Sequence, residues 1–112
     1  MKSCWIRSEA GKTVLEFRDV PVPRPGAGEI VVRMRASSLN RGELLAAIGL
    51  HSLDKPKPAG SDVAGEVHAL GEGVSGFAPG DRVMGRSRGA FAEYALMPAH
   101  QAVPLPQRLS FE

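Results

Sequence analysis

The chain has 112 residues, 43% of them hydrophobic, and a formal net charge of +2 from 14 basic and 12 acidic side chains; it can enclose one core, lacks material for a second ordinary domain, and is too weakly basic for a nucleic-acid footprint. The single cysteine, Cys4, has no internal partner, no secretory signal opens the chain, and no apolar run approaches the roughly 18 residues of a membrane span, so the sequence predicts a soluble cytoplasmic protein that engages neither membrane nor nucleic acid. Thirteen glycines and nine prolines, without repeat or low complexity, predict tight turns between short strands.

Lys2 to Arg7 and Thr13 to Asp19 read as the strands of a hairpin, separated by the turn-rich Glu9 to Lys12. Pro21, Pro23 and Pro25 then remove ladder donors and restrict their predecessors, which makes Val20 to Gly28 an extended crossover. Glu29 to Ser37 is the clearest strand. Ile30, Val32, Met34 and Ala36 alternate with Val31, Arg33, Arg35 and Ser37, which predicts one core face and one solvated face. Asn40 to Ile48 reads as one short helix, with Asn40 as N-cap, Glu43 completing a capping box, Gly49 as the stop, and Leu44, Leu45 and Ile48 as its apolar face. Gly49 to Gly60, which carries Pro56 and Pro58, reads as a surface loop.

Asp62 to Leu70 alternates again, and Gly65 within it marks a bulge or a close approach. After the glycine-rich stretch from Gly71 to Asp81 come Arg82 to Gly85, Ala90 to Met97 and a short Val103 to Leu105. About seven short strands, one helix and abundant turns describe a small β-barrel or sandwich.

Gly71, Gly73 and Gly76 spell the letters of a dinucleotide-binding GxGxxG after a strand. That motif works by presenting a helix amino terminus to a pyrophosphate, and Pro79 and Gly80 stand where the helix would run, so the glycines read as turn residues. His51, His68 and His100 are scattered and accompanied by one cysteine, without the short spacing of a structural zinc site. Ser61 and Asp62, with Asn40, form the one polar grouping that reads as chemistry, although capping and turn duties account for such residues equally well.

Pro21 to Ala36 and Gly60 to Val83 resemble the medium-chain dehydrogenase/reductase superfamily; Ala90 to Pro98 is similar to its following strand and Val103 to Glu112 to the lead into its next helix. The resemblance covers nearly the whole chain. It implies that residues 1–112 are the N-terminal GroES-like domain, mainly β, a partly open β-barrel with one short helix. The nucleotide-binding Rossmann domain would be absent, because Ser110 reads as an N-cap and the chain stops after Phe111 and Glu112.

In zinc alcohol dehydrogenases of that superfamily, a cysteine before the helix and a Gly-His-Glu triplet at the later strand hold catalytic zinc. Here Asn40, Ser61 and Asp62 stand at those places, an amide, a hydroxyl and a shortened acid. Such donors suit Zn²⁺ poorly. Met84 to Ala90 also runs directly into the next strand without a four-cysteine lobe. The resemblance is therefore to the zinc-independent quinone oxidoreductase branch, and it implies hydride transfer from NADPH or NADH to a small carbonyl or quinone substrate. Asn40, Ser61 and Asp62 would be catalytic, Asn40 as hydrogen-bond donor to the developing oxyanion, and Asn40 and Arg41 would border the cofactor. A tyrosine that some members carry in the helix has no counterpart between Glu43 and Ala47. Without its Rossmann partner domain the chain is expected to hold neither NADP nor zinc, to be inactive alone, and to expose an apolar patch suited to homo-oligomer formation. The alternative is a free-standing GroES-like binding or oligomerisation module, because fold does not determine function.

Overall fold

In the computed structural model, which describes residues 1–43 and 55–112, the hairpin at the amino end is longer than its apolar pattern suggests. Strands β1 (Lys2–Glu9) and β2 (Lys12–Asp19) pair antiparallel along their whole length, from Lys2 opposite Asp19 to Glu9 opposite Lys12. The reason is the turn: Ala10 and Gly11 both take positive φ, 50° and 77°. Two-residue turns of that hand match the strand twist and let pairing continue to the turn itself. A two-residue strand β4 (Lys57–Pro58) adds to the other edge of β1, opposite Trp5 and Ile6. The sequence reading had placed these residues in a loop, yet an edge position tolerates proline because the missing N–H faces away from the ladder.

A second, five-stranded antiparallel sheet is built from β3 (Glu29–Ala36), β5 (Asp62–Leu70), β6 (Arg82–Arg86), β7 (Tyr94–Pro98) and β8 (Val103–Pro104), in the order β7-β3-β5-β6-β8. With β5 on one side and β7 on the other, β3 buries Ile30, Val31 and Val32 completely. The expected alternation therefore holds only beyond Val32, since both faces of the strand are covered at its start. Gly65 is both things its position predicted. A Cβ there would lie 2.1 Å from the Arg33 carbonyl oxygen, and the β3–β5 register shifts beside it, between Met34 and Ala36.

Ala90 to Glu93, expected as the first half of a strand, instead stitches the sheets together. The Phe91 N–H donates to the Ala59 carbonyl at 2.9 Å, the Cys4 N–H donates to the Phe91 carbonyl at 2.8 Å, and Ser3 bridges Ala92. One seam joins two sheets that do not otherwise close among the described residues, which gives the partly open, mainly β architecture. No nucleotide-binding Rossmann domain lies within these 112 residues.

The larger core unites Ile30, Val32, Val63, Val67, Val83, Ala95 and Met97, and a smaller one unites Cys4, Ile6 and Ala59 under Phe91. Burying a side chain of the Val, Ile or Met kind contributes roughly 1.5–3 kcal/mol relative to exposure, so the larger cluster consolidates the five-stranded sheet and the smaller one the amino-terminal sheet. On the edge strand β2, Leu15 and Phe17 remain exposed. Of the expected helix, Arg41, Gly42 and Glu43 are helical, and the rest lies outside the described residues, as does His51. Among the described residues no helix is long and apolar enough to cross a membrane.

The glycine triplet after β5 serves packing and turning. The Gly71 N–H donates to the Glu29 carbonyl at 2.8 Å, and a Cβ on Gly71 would stand 1.8 Å from the Gly26 carbonyl oxygen. Gly73 takes φ +79° in the turn beyond, and no helix follows Gly76 before β6. The helix-based phosphate mechanism thus has no helix to act through.

Candidate active site

Three backbone segments converge on one polar cluster: the stretch leaving β3 (Ser37 to Glu43), the entry to β5 (Gly60 to Asp62), and the end of β6 with the residues after it (Arg86 to Arg88). The junction is tied by the main chain. The Ser87 N–H donates to the Ser61 carbonyl at 2.9 Å, the Gly89 N–H to the Gly60 carbonyl at 3.0 Å, and the Ser37 hydroxyl to the Asp62 carbonyl at 2.6 Å. Positions held by such a lattice present their side chains on a rigid frame, as a preorganised site requires.

The structure brings Asn40, Ser61 and Asp62 together, which sequence alone could not show. Nδ2 of Asn40 donates to Asp62 Oδ2 at 2.8 Å and to Ser61 Oγ at 3.1 Å. Ser61 Oγ in turn donates to Glu43 Oε1 at 2.8 Å, and the other Glu43 oxygen accepts the Asn40 backbone N–H at 2.7 Å. That last bond is the carboxylate half of the capping box. The Asn40 side chain, however, is turned toward β5, where both amide protons meet acceptors.

Three members of the cluster had not been singled out for it. The Ser38 hydroxyl reaches Asp62 Oδ2 and lies 3.2 Å from Asn40 Oδ1. Glu43 had been read only as a cap. Arg86 faces Asp62 across the β5–β6 ladder, with Nε 3.7 Å from Oδ1. Strand register alone decides that last pairing, and no linear spacing signals it. Arg41 makes no bond to the cluster but lines the same open groove, together with Lys57 and Arg86. His68 is exposed and stands against the Tyr94 ring at 4.8 Å, away from the site.

The hydrogen bonds from Ser38 and then Asn40 hold the Asp62 carboxyl below the usual aspartate range; burial opposes them, and the Arg86 charge adds the least of these effects. Folding therefore weakens proton binding at Asp62. Its contribution to stability is complete above the unfolded-state value near pH 4 and is lost as pH falls through the depressed folded-state value. Asp62→Asn is expected to lower stability at neutral pH and to flatten the loss below about pH 4. Urea unfolding across that range checks this, and an acid limb as steep as that of the parent chain would refute it.

The donor set also bears on metal binding. Asp62 Oδ2 already accepts two hydrogen bonds, Oδ1 faces a guanidinium, and Asn40 presents N–H groups rather than lone pairs to the centre of the cluster. A Zn²⁺ ion requires lone pairs directed at it, from thiolate, imidazole or free carboxylate. These residues do not fit one.

Residues 26–107 match the family described as the alcohol dehydrogenase GroES-like domain. The chain is 35% identical over 117 residues to human quinone oxidoreductase, which covers all of this chain and 36% of that protein. It is 38% identical over 120 residues to dehydrogenase orsE of Emericella nidulans, covering 98% of this chain and 34% of that one. Among solved structures, mycobacterial Rv1454c complexed with NADPH superposes with a TM-score of 0.85 at 29% identity, over 98% of this chain and 35% of that one. The chain thus spans about a third of the length of the proteins it matches.

Proposed function

The chain belongs to the alcohol dehydrogenase GroES-like domain family, and on that premise we propose that it is the substrate-side catalytic domain, residues 1–112, of a cytoplasmic NAD(P)H-dependent reductase of quinones or related small carbonyl compounds that works without zinc. Its relatives supply the reaction class: a quinone oxidoreductase and a dehydrogenase among the curated proteins, and an NADPH complex among the structures. The observation that carries the reading is the Asn40 amide anchored on Asp62 at 2.8 Å, on the wall of the open groove.

A nicotinamide, when bound, would supply the hydride. What this chain must do is polarise the acceptor. As hydride reaches the substrate, negative charge grows on a carbonyl or quinone oxygen, and a fixed donor aimed at that oxygen lowers the barrier. Asn40 can provide it by giving up its longer bond, 3.1 Å to Ser61, while Asp62 keeps the amide in place. Ser61, whose hydroxyl lies in the same wall, can act as a second donor by turning its proton away from Glu43. Arg41 lines the same groove as Asn40, and these two residues would border the cofactor. Asp62 is a positioning residue in this scheme: ionised, it orients the amide and takes no proton.

Two measurements test the proposal together. Calorimetry of the isolated chain with NADPH should show no submillimolar binding, and fusion to the nucleotide-binding domain of human quinone oxidoreductase should yield quinone-dependent NADPH oxidation that survives exhaustive chelation. A folded fusion that binds NADPH yet reduces no quinone would overturn the reading. It would favour the free-standing binding module.

A further inference from the structure

Three depressions run together around Ser61, which lines all of them. One is bounded by Asn40, Arg41 and Arg86, one by Lys57, Gly60 and Arg88, and one by Arg86, Arg88 and Gln101. Four cationic side chains, Arg41, Lys57, Arg86 and Arg88, therefore rim one continuous concave surface. Two carboxylates, Glu43 and Asp62, lie in its wall, and their hydrogen-bonding oxygens are turned to Asn40, Ser61 and Ser38 rather than to the cations. Among the described residues, no carboxylate pairs with Arg41, Lys57 or Arg88, and Arg86 reaches Asp62 only at 3.7 Å. Elsewhere on the surface Lys2, Arg7, Arg18 and Arg35 are ion-paired, whereas Lys12, Arg24, Arg33 and Arg108 pair with no carboxylate among the described residues but are not gathered on one concave wall.

The placement of Arg86 and Arg88 is set by the main chain. Ser87 between them is buried and bonded to Ser61 through its N–H, so the two arginines flank an inward-turned residue and both remain exposed. β6 ends at Arg86 and Arg88 opens the turn that follows, and both side chains line the same depression. A planar guanidinium presents paired donors matched to two oxygens of one anion, and like charges gathered on a concave wall attract such an anion.

We propose that Arg86 and Arg88, with Lys57 on the adjoining wall, form a recognition subsite for a small oxyanion, carboxylate or phosphate, beside the Asn40–Ser61 pair. This rests on the reductase reading and sharpens it: the ligand reduced or used there carries a negative charge a short distance from the reacting oxygen. Two sources offer that chemistry, a charged substituent on the substrate and the phosphates of the nicotinamide cofactor.

The test uses the 112-residue chain and arginine side-chain Nε–H signals in NMR titrations with benzoate, inorganic phosphate and NADPH, ionic strength being held constant with chloride. The expected result is a saturable shift of the Arg86 and Arg88 signals and of the Ser61 backbone N–H, with the affinity read at Ser61 weakened about tenfold in the R86Q/R88Q variant, the loss that follows from removing hydrogen bonds to a charged partner. A matched melting temperature shows that the variant is folded. Saturation with benzoate or phosphate but not NADPH assigns the subsite to the substrate; saturation with NADPH at lower concentration than either assigns it to the cofactor. Shifts that never saturate, that are equal at Arg24, Arg33 and Arg108, or that persist unchanged in the variant overturn the proposal. The titration reads binding without turnover, so an inactive fusion that still binds benzoate sinks the reductase reading alone, and an active fusion without saturable shifts sinks the subsite alone.

Discussion

Gly71→Ala is expected to destabilise the fold by about 3 kcal/mol or more, at or above the top of the usual range for forced overpacking. The new methyl group would stand 1.8 Å from the Gly26 carbonyl oxygen and 2.8 Å from that of Glu29, so two main-chain segments must part to admit it. No side-chain rotation relieves this, because the obstacles are backbone atoms at the point where the proline-rich crossover meets the end of β5. For a domain of this size the melting temperature should fall by roughly 12–24 °C. Gly73→Ala is the companion measurement. It shares the motif and has φ +79°, but nothing lies within 4 Å of its added Cβ, so the change should cost only about 1–2 kcal/mol of left-handed strain. A Gly71 variant that melts like the Gly73 variant would remove the close approach as the reason for that glycine.

Asn40→Ala is expected to lower kcat of the quinone-reducing fusion by about 10²–10³, the loss seen when one oxyanion donor is removed from a preorganised site. Because the bond strengthens only as charge develops, kcat and kcat/KM should fall together, with little change in KM. The alanine also strips Asp62 of one of its two side-chain donors. Thermal melting of the isolated variant separates that structural loss from the catalytic one. A large rise in KM with kcat preserved would instead assign Asn40 to uniform substrate binding and pass the role of donor to Ser61.

The legibility of the strands followed their environment. β5, whose alternating apolar residues face one core, was read with its ends correct, from Asp62 to Leu70. β3 was located correctly but misjudged in its first three residues, because a central strand covered on both faces at one end loses the period of two. β4 was missed because two residues, one of them proline, carry no periodic signal, and their pairing partner, β1, lies about fifty residues away. The beginning of β7 was overextended: Ala90 to Glu93 has the composition of a strand but bonds to Ala59 and Lys2, so it became the seam between sheets.

The site divides in the same way. Asn40, Ser61 and Asp62 were candidates from residue type and resemblance, and Glu43 was visible as a cap three residues beyond Asn40. Ser38, Arg86 and Arg88 were not. Their relevance depends on which strands neighbour one another and in what register, and a serine or an arginine in a turn-rich segment carries no mark of it.

By itself, then, the amino-acid order determined the mainly β class, the turns imposed by glycine and proline, and the failure of the GxGxxG letters, all local properties of residue type and spacing; that an amide and a hydroxyl stand where zinc-dependent relatives carry metal ligands came from the resemblance. Only the tertiary structure decided that the Asn40 amide bonds Asp62 and Ser61, and that Arg86 and Arg88 stand beside Ser61. Those contacts join residues 21 to 27 positions apart. They exist because pairing between strands, and not any pattern along the chain, chooses which side chains share a wall.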